Sequence, residues 1–201
     1  MRRVRLGALL SSATELSRFR EILAAGGVAA IPTETFYGLA ADPTSARGVA
    51  RVFEIKRRDA GKPLLVLFSE REHLERLGIE ASSVTVERFL RIWPAALTVV
   101  LPLAAPIAAS RGAATLGVRM PAAGSVRKLL DAIGPITATS ANRSGSLPFA
   151  DPEEVARTIG DELDLVIDDG PSPGGQPSTV VDATAEPPRV IRAGAFPWPP
   201  G

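Results

Sequence analysis

Short apolar runs that alternate with longer amphipathic segments restrict the fold of this chain more than any other feature of its sequence. Residues 28–31, 64–68 and 97–101 are largely apolar runs of strand length. Residues 12–25 and 45–56 instead repeat apolar side chains at helical spacing. Such alternation along the first part of the chain, followed by strands that pair more directly near its end, predicts an α/β domain with a twisted mixed β-sheet flanked by helices.

The remaining elements follow from the same patterns. We predict further helices and strands in the following segments: helices over 70–77, 83–93, 124–133 and from Asp151 onward, and strands over 115–120, 136–139, 165–167, 178–181 and 190–192. Ser12 with Glu15, and Asp151 with Pro152, are typical of helix starts. We expect one domain over residues 1–201, with a core at about 10–195, an irregular tail at 196–201 and no second C-terminal domain.

Composition excludes several kinds of chemistry. The chain has no cysteine, which removes disulfide scaffolds, Cys-based zinc sites, thiol nucleophiles and Fe–S ligation. Its one histidine, His73, lies in a polar helical segment in which Ser69 and Glu72 have the spacing of a capping box, so we expect a surface residue rather than a catalytic base. No apolar run reaches the roughly 20 residues that a membrane span requires, and the predicted location is the cytoplasm.

A basic turn lies between the second predicted helix and the strand at 64–68. Lys56, Arg58 and Lys62 lie on it, and Gly61 and Pro63 force it to bend. Charge runs are usually solvated, so a solvated basic loop is the alternative interpretation. The chain has neither the Walker-type nor the dinucleotide-binding glycine motif, so phosphate groups would have to be bound by these side chains. Because the net charge is only +1, any anion site must be local.

Further polar groups follow predicted strands, where loops leave the core of such a sheet. Thr115 and Arg119 are four residues apart and therefore share one face of their strand. Arg119 faces inward and needs a partner, either a ligand or an acidic side chain in a structural ion pair. Ser140 and Asn142 could bind a ligand or only stabilise a turn. Glu34 could cap a helix, pair with a cation or contact a ligand.

Seven motifs, taken together and in order, resemble the YrdC-type proteins, the threonylcarbamoyl-AMP synthases called TsaC in bacteria. They lie at residues 32–39, 56–64, 97–98, 118–121, 140–145, 177–182 and 191–194. The resemblance implies a single YrdC-like α/β domain around a large, basic, concave cavity. It also implies a nucleotidyltransferase that makes L-threonylcarbamoyladenylate and pyrophosphate from L-threonine, bicarbonate and ATP. Other proteins would then transfer the threonylcarbamoyl group to tRNA.

The resemblance also implies roles for individual residues. The ATP-binding group would consist of Lys56, Arg58, Lys62, Thr115, Ser140, Asn142 and Arg192. Of these, Lys56 and Arg58 would be catalytic, and Mg²⁺ would be carried by the ATP phosphates rather than by a protein metal site. The threonine-binding group would consist of Thr33, Leu67, Arg119, Ala138 and Ser178, with Arg119 pairing with the carboxylate.

The chain departs from the family pattern at a few positions. Leu67 stands where many members have histidine, so apolar packing replaces a polar contact to threonine. Ala114 and Phe36 replace the more common aspartate and valine. Two alternatives remain open at this point: a module that binds double-stranded RNA, and a paralogue that makes another carbamoyl-adenylate. Near-neutral charge and an aromatic content of 5% disfavour the RNA-binding module.

Overall fold

The computed structural model describes residues 1–57 and 61–199, so predicted Arg58 lies outside the described residues. In these two ranges the helices are α1 (Leu6–Leu10), α2 (Ala13–Ala24), α3 (Ala46–Lys56), α4 (Arg71–Arg76), α5 (Val84–Leu90), α6 (Gly124–Ile133) and α7 (Pro152–Ile159). The strands in the same ranges are β1 (Arg2–Arg5), β2 (Ala29–Ile31), β3 (Gly38–Ala40), β4 (Val66–Leu67), β5 (Leu97–Pro102), β6 (Thr115–Arg119), β7 (Ile136–Thr137), β8 (Thr139–Ser140), β9 (Leu165–Asp168), β10 (Thr179–Asp182) and β11 (Arg189–Arg192). Short 3₁₀ turns occur at Ala108–Ser110 and Gly160–Glu162.

The strands divide between two mixed sheets. The first sheet has the order β1-β9-β2-β3-β8, and the second has the order β11-β10-β5-β6-β4-β7. Parallel and antiparallel pairs occur in both, for example β2 with β9 and β2 with β3 in the first sheet. The predicted α/β class with mixed pairing is confirmed. The division into two sheets was not predicted.

The larger apolar core lies between the two sheets. Leu39 and Val166 of the first sheet and Val99 and Val118 of the second sheet belong to it. A smaller core covers the other face of the first sheet, where Ile31 and Ile167 pack with residues of α1, α2 and α6. The strands β2, β3 and β9 of the first sheet are therefore buried on both faces, as their almost continuous apolar sequences require.

The backbone at 136–140 belongs to both sheets. β7 pairs with β4 of the second sheet, and β8 pairs with β3 of the first. Between them, the Ala138 N–H donates to the Leu65 carbonyl at 2.9 Å. The hydroxyl of Thr137 donates to the Leu39 carbonyl at 3.2 Å and accepts from the Ala41 N–H at 2.9 Å. This segment, predicted as one strand over 136–139, is a link between the sheets.

Local signals placed several elements correctly. Ser12 accepts from the Glu15 N–H and caps α2, and Asp151 accepts from the Glu153 N–H and caps α7. Both starts are confirmed.

The prediction for His73 was wrong. His73 is only 1% exposed, and its Nδ1 lies 3.4 Å from the Ser69 hydroxyl while its Nε2 lies 3.1 Å from Glu70. The residue preceding α4 is Glu70, which makes no side-chain cap, so the predicted capping box is absent. The α4 helix turns its histidine toward the core, although its sequence neighbours are polar.

No helix in the described part of the chain combines the length and apolar character that crossing a bilayer demands.

Candidate functional site

One face of the second sheet is partly open and carries the candidate site. Leu116 and Val118 of β6 point into the larger core, so Thr115, Gly117 and Arg119 point to the opposite side. On the neighbouring strands, register places Leu67 beside Arg119 and Val100 beside Gly117 on this same side. We call this side the polar face of the second sheet.

Arg119 is the buried charge on the polar face. Its side chain is 4% exposed, and its Nη1 lies 3.2 Å from Oε1 of Glu34. Burial lowers the pKa of Arg119, and the nearby positive charge of Arg192 lowers that pKa further, whereas Glu34 raises it. The partner expected from the sequence is therefore present as an acidic side chain, and Arg192 lies near enough to act on Arg119 electrostatically.

A second group of polar side chains surrounds Ser178. The hydroxyls of Ser178 and Thr98 are 2.9 Å apart, and Arg192 donates to the Ser178 carbonyl at 2.8 Å. Thr98 and Arg192 both register with Val180, so the three strands β5, β10 and β11 present them to the same side. Gly194 is required here, because a Cβ on it would lie 2.2 Å from the Pro177 carbonyl oxygen.

A third group forms around Lys56, at the end of α3. Its side chain is buried, and Nζ donates to the Ser140 carbonyl at 2.5 Å, the Asn142 carbonyl at 3.2 Å and Asn142 Oδ1 at 2.7 Å. The Ser140 hydroxyl also donates to Asn142 Oδ1 at 2.8 Å. Two predicted ATP-binding residues of the 140–142 loop are thus joined to a third from a distant helix.

The backbone around Lys56 fixes this arrangement. Arg57 adopts the left-handed conformation (φ 48°, ψ 47°), which is uncommon for a residue with a side chain and ends α3 directly after Lys56. The Ser144 N–H donates to the Lys56 carbonyl at 2.7 Å, and Arg143 bonds the Ile55 carbonyl and pairs with Glu162. The 140–146 loop is therefore held against the helix end by its backbone and by a charged side chain.

The hydroxyl-rich loop after β2 is held from within. The Thr33 hydroxyl donates to the Phe36 carbonyl at 2.6 Å and accepts from the Thr35 and Phe36 N–H groups. This turn supports Glu34, which points to Arg119. Thr33 is buried, and its hydroxyl is already used in hydrogen bonds within the loop.

Tyr37 connects this region with the glycine-rich loop that leads to Ser178. Its hydroxyl donates to the Gly170 carbonyl at 2.8 Å and accepts from the Asp169 N–H at 3.3 Å. Burial raises the pKa of Tyr37 to about 12, so the hydroxyl keeps its proton at neutral pH.

The remaining predicted residues are distributed as follows. Leu67 is fully buried beside Arg119, Ala138 lies in the link between the sheets, Thr115 begins β6, and Lys62 is exposed. Leu67 packs with the smaller core, which agrees with apolar packing at that position. Arg58 cannot be placed, since it lies outside the described ranges.

The partners in two contacts were not identified from the sequence. Pairing with a cation was one of the alternatives for Glu34, but nothing local shows that the cation is Arg119. Thr98 lies inside the apolar strand β5. The available signal was that neighbouring residues of a strand point to opposite faces, so Thr98 faces away from the core that contains Val99.

Among the described residues, no group of three or more His, Cys, Asp or Glu side chains could hold a metal ion. The acceptors near the candidate site are mainly backbone carbonyls, hydroxyls and an amide, and the cations are Lys56, Arg119 and Arg192. Such a set suits anionic ligands.

Comparison with known proteins agrees with this architecture. Residues 21–194 match the Sua5/YciO/YrdC family model, which carries the description "Telomere recombination". A threonylcarbamoyl-AMP synthase of Pyrococcus abyssi is 38% identical over 86% of this chain and 52% of its own length. A putative threonylcarbamoyl-AMP synthase of Mycobacterium tuberculosis is 34% identical over 85% of this chain and 79% of its own length.

The crystal structure of P. abyssi Sua5 complexed with L-threonine superposes with a TM-score of 0.84 at 34% identity. That match covers 98% of this chain and 57% of the Pyrococcus chain, so the present chain spans just over half the length of that relative. Because the family model covers most of the sequence and the fold agrees with it, this chain belongs to the Sua5/YciO/YrdC family.

Proposed function

We propose that this chain is an L-threonylcarbamoyladenylate synthase, which forms its product and pyrophosphate from L-threonine, bicarbonate and ATP. One observation carries the proposal: a buried Lys56–Ser140–Asn142 group holds the β8 end of the 136–140 link, and a buried Arg119 lies on β6, which β4 joins to the β7 end of the same link. Relatives named as threonylcarbamoyl-AMP synthases, and a threonine complex of one homologue, support it.

The nucleotide would bind at the Lys56 end of the link. Lys56 holds Ser140 and Asn142 in place with its N–H donors, so it would act on the phosphate groups through its charge. We propose that Arg58 and Lys62 bind the phosphate groups directly, with Thr115 and Arg192 serving the remainder of the nucleotide. Mg²⁺ would enter coordinated by phosphate oxygens and water, as it commonly does with nucleotide substrates.

The amino acid would bind on the polar face near Arg119. A guanidinium group binds a carboxylate through parallel hydrogen bonds, and the buried position of Arg119 strengthens that interaction. The Ser178 hydroxyl, Thr33 and the backbone at Ala138 would border the same ligand, with Leu67 as an apolar wall.

The chemistry then depends on positioning and charge stabilisation. The neutral threonine amine gives a carbamate, either by adding to carbon dioxide with loss of a proton or by reacting with bicarbonate with release of water. A carbamate oxygen then attacks the α-phosphorus as the bond to the pyrophosphate group breaks. Negative charge that develops on the phosphate oxygens would be stabilised by Lys56, Arg58 and Lys62. Neither a thiol nor an accessible histidine is needed.

The proposed function can be tested by measuring pyrophosphate release from ATP, with and without L-threonine and with and without bicarbonate. Release that needs both is the expected result. Release that does not need threonine would indicate another carbamoyl-adenylate, and no release together with tight binding of double-stranded RNA would indicate an RNA-binding module.

The role of Arg58 can be tested in the same assay. The Arg58→Ala variant should lose roughly 2–4 kcal/mol of transition-state stabilisation, the scale of one preorganised charge contact. An unchanged turnover would remove Arg58 from the catalytic group. We propose that the product passes in the cytoplasm to proteins that modify tRNA.

A further inference from the structure

Three of the four buried side-chain polar atoms that lack a hydrogen-bond partner in the described chain belong to one pair of residues. They are both carboxylate oxygens of Glu34 and Nε of Arg119. Most buried polar atoms in folded proteins have partners, and each exception requires an explanation. Here the exceptions are concentrated at a single point on the polar face.

The ion pair between the two side chains does not remove this cost. Arg119 Nη1 and Glu34 Oε1 are 3.2 Å apart, yet neither carboxylate oxygen has a hydrogen bond of acceptable geometry. A buried ion pair is stable only when further hydrogen bonds satisfy its remaining donors and acceptors. The pair therefore lacks donors for Glu34 and an acceptor for Arg119.

The turn that presents Glu34 is well formed, so a misplaced loop does not account for the missing contacts. The Thr33 hydroxyl bonds the backbone at Thr35 and Phe36, and the Gly174 N–H donates to the Thr35 carbonyl at 2.7 Å. Glu34 is thus held on a fixed loop with its carboxylate directed at Arg119.

The charges near the pair are unbalanced as well. One carboxylate, Glu34, acts on Arg119, and the positive charge of Arg192 also acts on it. A ligand carboxylate at Arg119 would compensate the second positive charge. A ligand that also brought N–H donors would satisfy Glu34.

We propose that Glu34 is the receptor for the α-amino group of the amino-acid substrate and that it forms, with Arg119, a bipolar recognition pair. An α-amino acid carries its ammonium and carboxylate groups on the same carbon atom, so their receptors must be adjacent, as these two side chains are. This inference deepens the proposed function and rests on it: Glu34 becomes the residue that selects amino acids over other carboxylic acids and orients the amine that must react.

The test compares two ligands that differ only at the amino position. L-threonine and its α-hydroxy analogue, 2,3-dihydroxybutanoate, share the carboxylate and the side chain. Their dissociation constants are measured by titration calorimetry on the wild type, on Glu34→Gln and Glu34→Asp, and on Glu80→Gln, an exposed glutamate that serves as the control.

In the wild type and the control, threonine should bind at least about tenfold more tightly than the hydroxy analogue, because the analogue offers Glu34 no ammonium group. Glu34→Gln should weaken threonine binding about 10- to 100-fold and change binding of the analogue less than about threefold. Glu34→Asp keeps the negative charge near Arg119, but its shorter side chain moves the carboxylate oxygens away from the ligand. Its preference for threonine over the hydroxy analogue should therefore lie between those of the wild type and Glu34→Gln.

Other outcomes would reject the proposed role of Glu34 and Arg119 as an amino-acid recognition pair. Tighter threonine binding in Glu34→Gln would make Glu34 an internal competitor for Arg119, and unchanged binding would show that its charge does not bind the amino group. Equal loss of both ligands in a folded variant would make Glu34 purely structural. If Glu34→Gln does not fold, the preference measured on Glu34→Asp decides, and an unchanged preference there overturns the pair.

The proposed function is tested separately, with the wild-type protein alone. Threonine binding without threonine-dependent pyrophosphate release would reject the synthase but leave the pair to be judged by the same affinities. If the wild type binds a different amino acid, the same comparison is made with that amino acid and its hydroxy analogue. A wild type that binds no amino acid would reject the pair.

Discussion

The Lys56 ammonium group is the most connected charge of the candidate site, and its removal gives the sharpest test of the site's construction. In Lys56→Met a side chain of similar length keeps the apolar contacts but loses all N–H donors. The Ser140 carbonyl retains the Asn142 N–H at 3.0 Å, and Asn142 Oδ1 retains the Ser140 hydroxyl. The Asn142 carbonyl loses its bond to Nζ at 3.2 Å.

The size of the effect follows from these bonds. A hydrogen bond to a charged group contributes about 1.5–3 kcal/mol, and the ammonium group can make three. Two of the acceptors keep another donor, and removing a buried charge recovers part of its desolvation cost. We therefore expect the free energy of unfolding to fall by about 3 kcal/mol, which corresponds to a melting temperature about 6–12 °C lower for a chain of this size.

Urea denaturation followed by circular dichroism measures this change. Lys128→Met, at an exposed position of α6, is the matched control and should shift the unfolding free energy by less than about 0.5 kcal/mol. If Lys56→Met unfolds at the same urea concentration as the wild type, then the buried ammonium does not hold the 140–142 loop and the description of the site is wrong.

Three further predictions concern other parts of the structure. Gly194→Ala should reduce pyrophosphate release at least about tenfold. The new methyl group must displace the backbone at Ser178, and a small displacement of a ligand-binding group can lower the reaction rate strongly. Ser178→Ala loses the 2.9 Å contact with the Thr98 hydroxyl, so threonine binding measured by calorimetry should weaken about fivefold. Burial lowers the pKa of His73 in the folded protein. The stability that comes from its neutral form is therefore complete above the pKa of the unfolded chain, near 6.5, and is lost as the pH falls below that value. The urea midpoint should be lower at pH 5 than at pH 7.5.

Gly7→Ala adds a methyl group where nothing lies within 4 Å and should leave activity unchanged, and full activity of Gly194→Ala would contradict the close approach. Equal threonine affinity in Ser178→Ala would remove that hydroxyl from the binding site. His73→Gln should flatten the change in midpoint between pH 7.5 and pH 5, and an unaltered slope would assign the pH dependence to carboxylates.

Local sequence signals predicted elements whose ends are marked by their own residues. The helix expected at 124–133 occurs as Gly124–Ile133, since its apolar spacing is regular and Gly134 follows it. β1 was missed because three of its four residues are arginine, yet it pairs with β9, which lies far along the chain. β3 was missed because Gly38–Ala40 follows a hydroxyl-rich turn and is very short.

Residues of the candidate site were named from the sequence, whereas the contacts between them were not predicted. Lys56, Ser140 and Asn142 were chosen from separate loops, but their contact depends on pairing between β3 and β8, which no local pattern indicates. Burial of His73 likewise depends on which side of α4 meets the core. Long-range packing determines both the contact of Lys56 with the 140–142 loop and the burial of His73, and the patterns of a single sequence report mainly on local structure.

The link at 136–140 has a mechanical consequence. Its two halves are hydrogen-bonded to different sheets, and β4 joins the β7 half to Arg119 on β6. A displacement of Arg119 can therefore reach Ser140 through β4 and a few peptide units of the link. Under the proposed function, a substitution at Ala138 that alters amino-acid binding should also change ATP affinity. A variant selected for a new amino-acid side chain should therefore be screened for ATP affinity from the start.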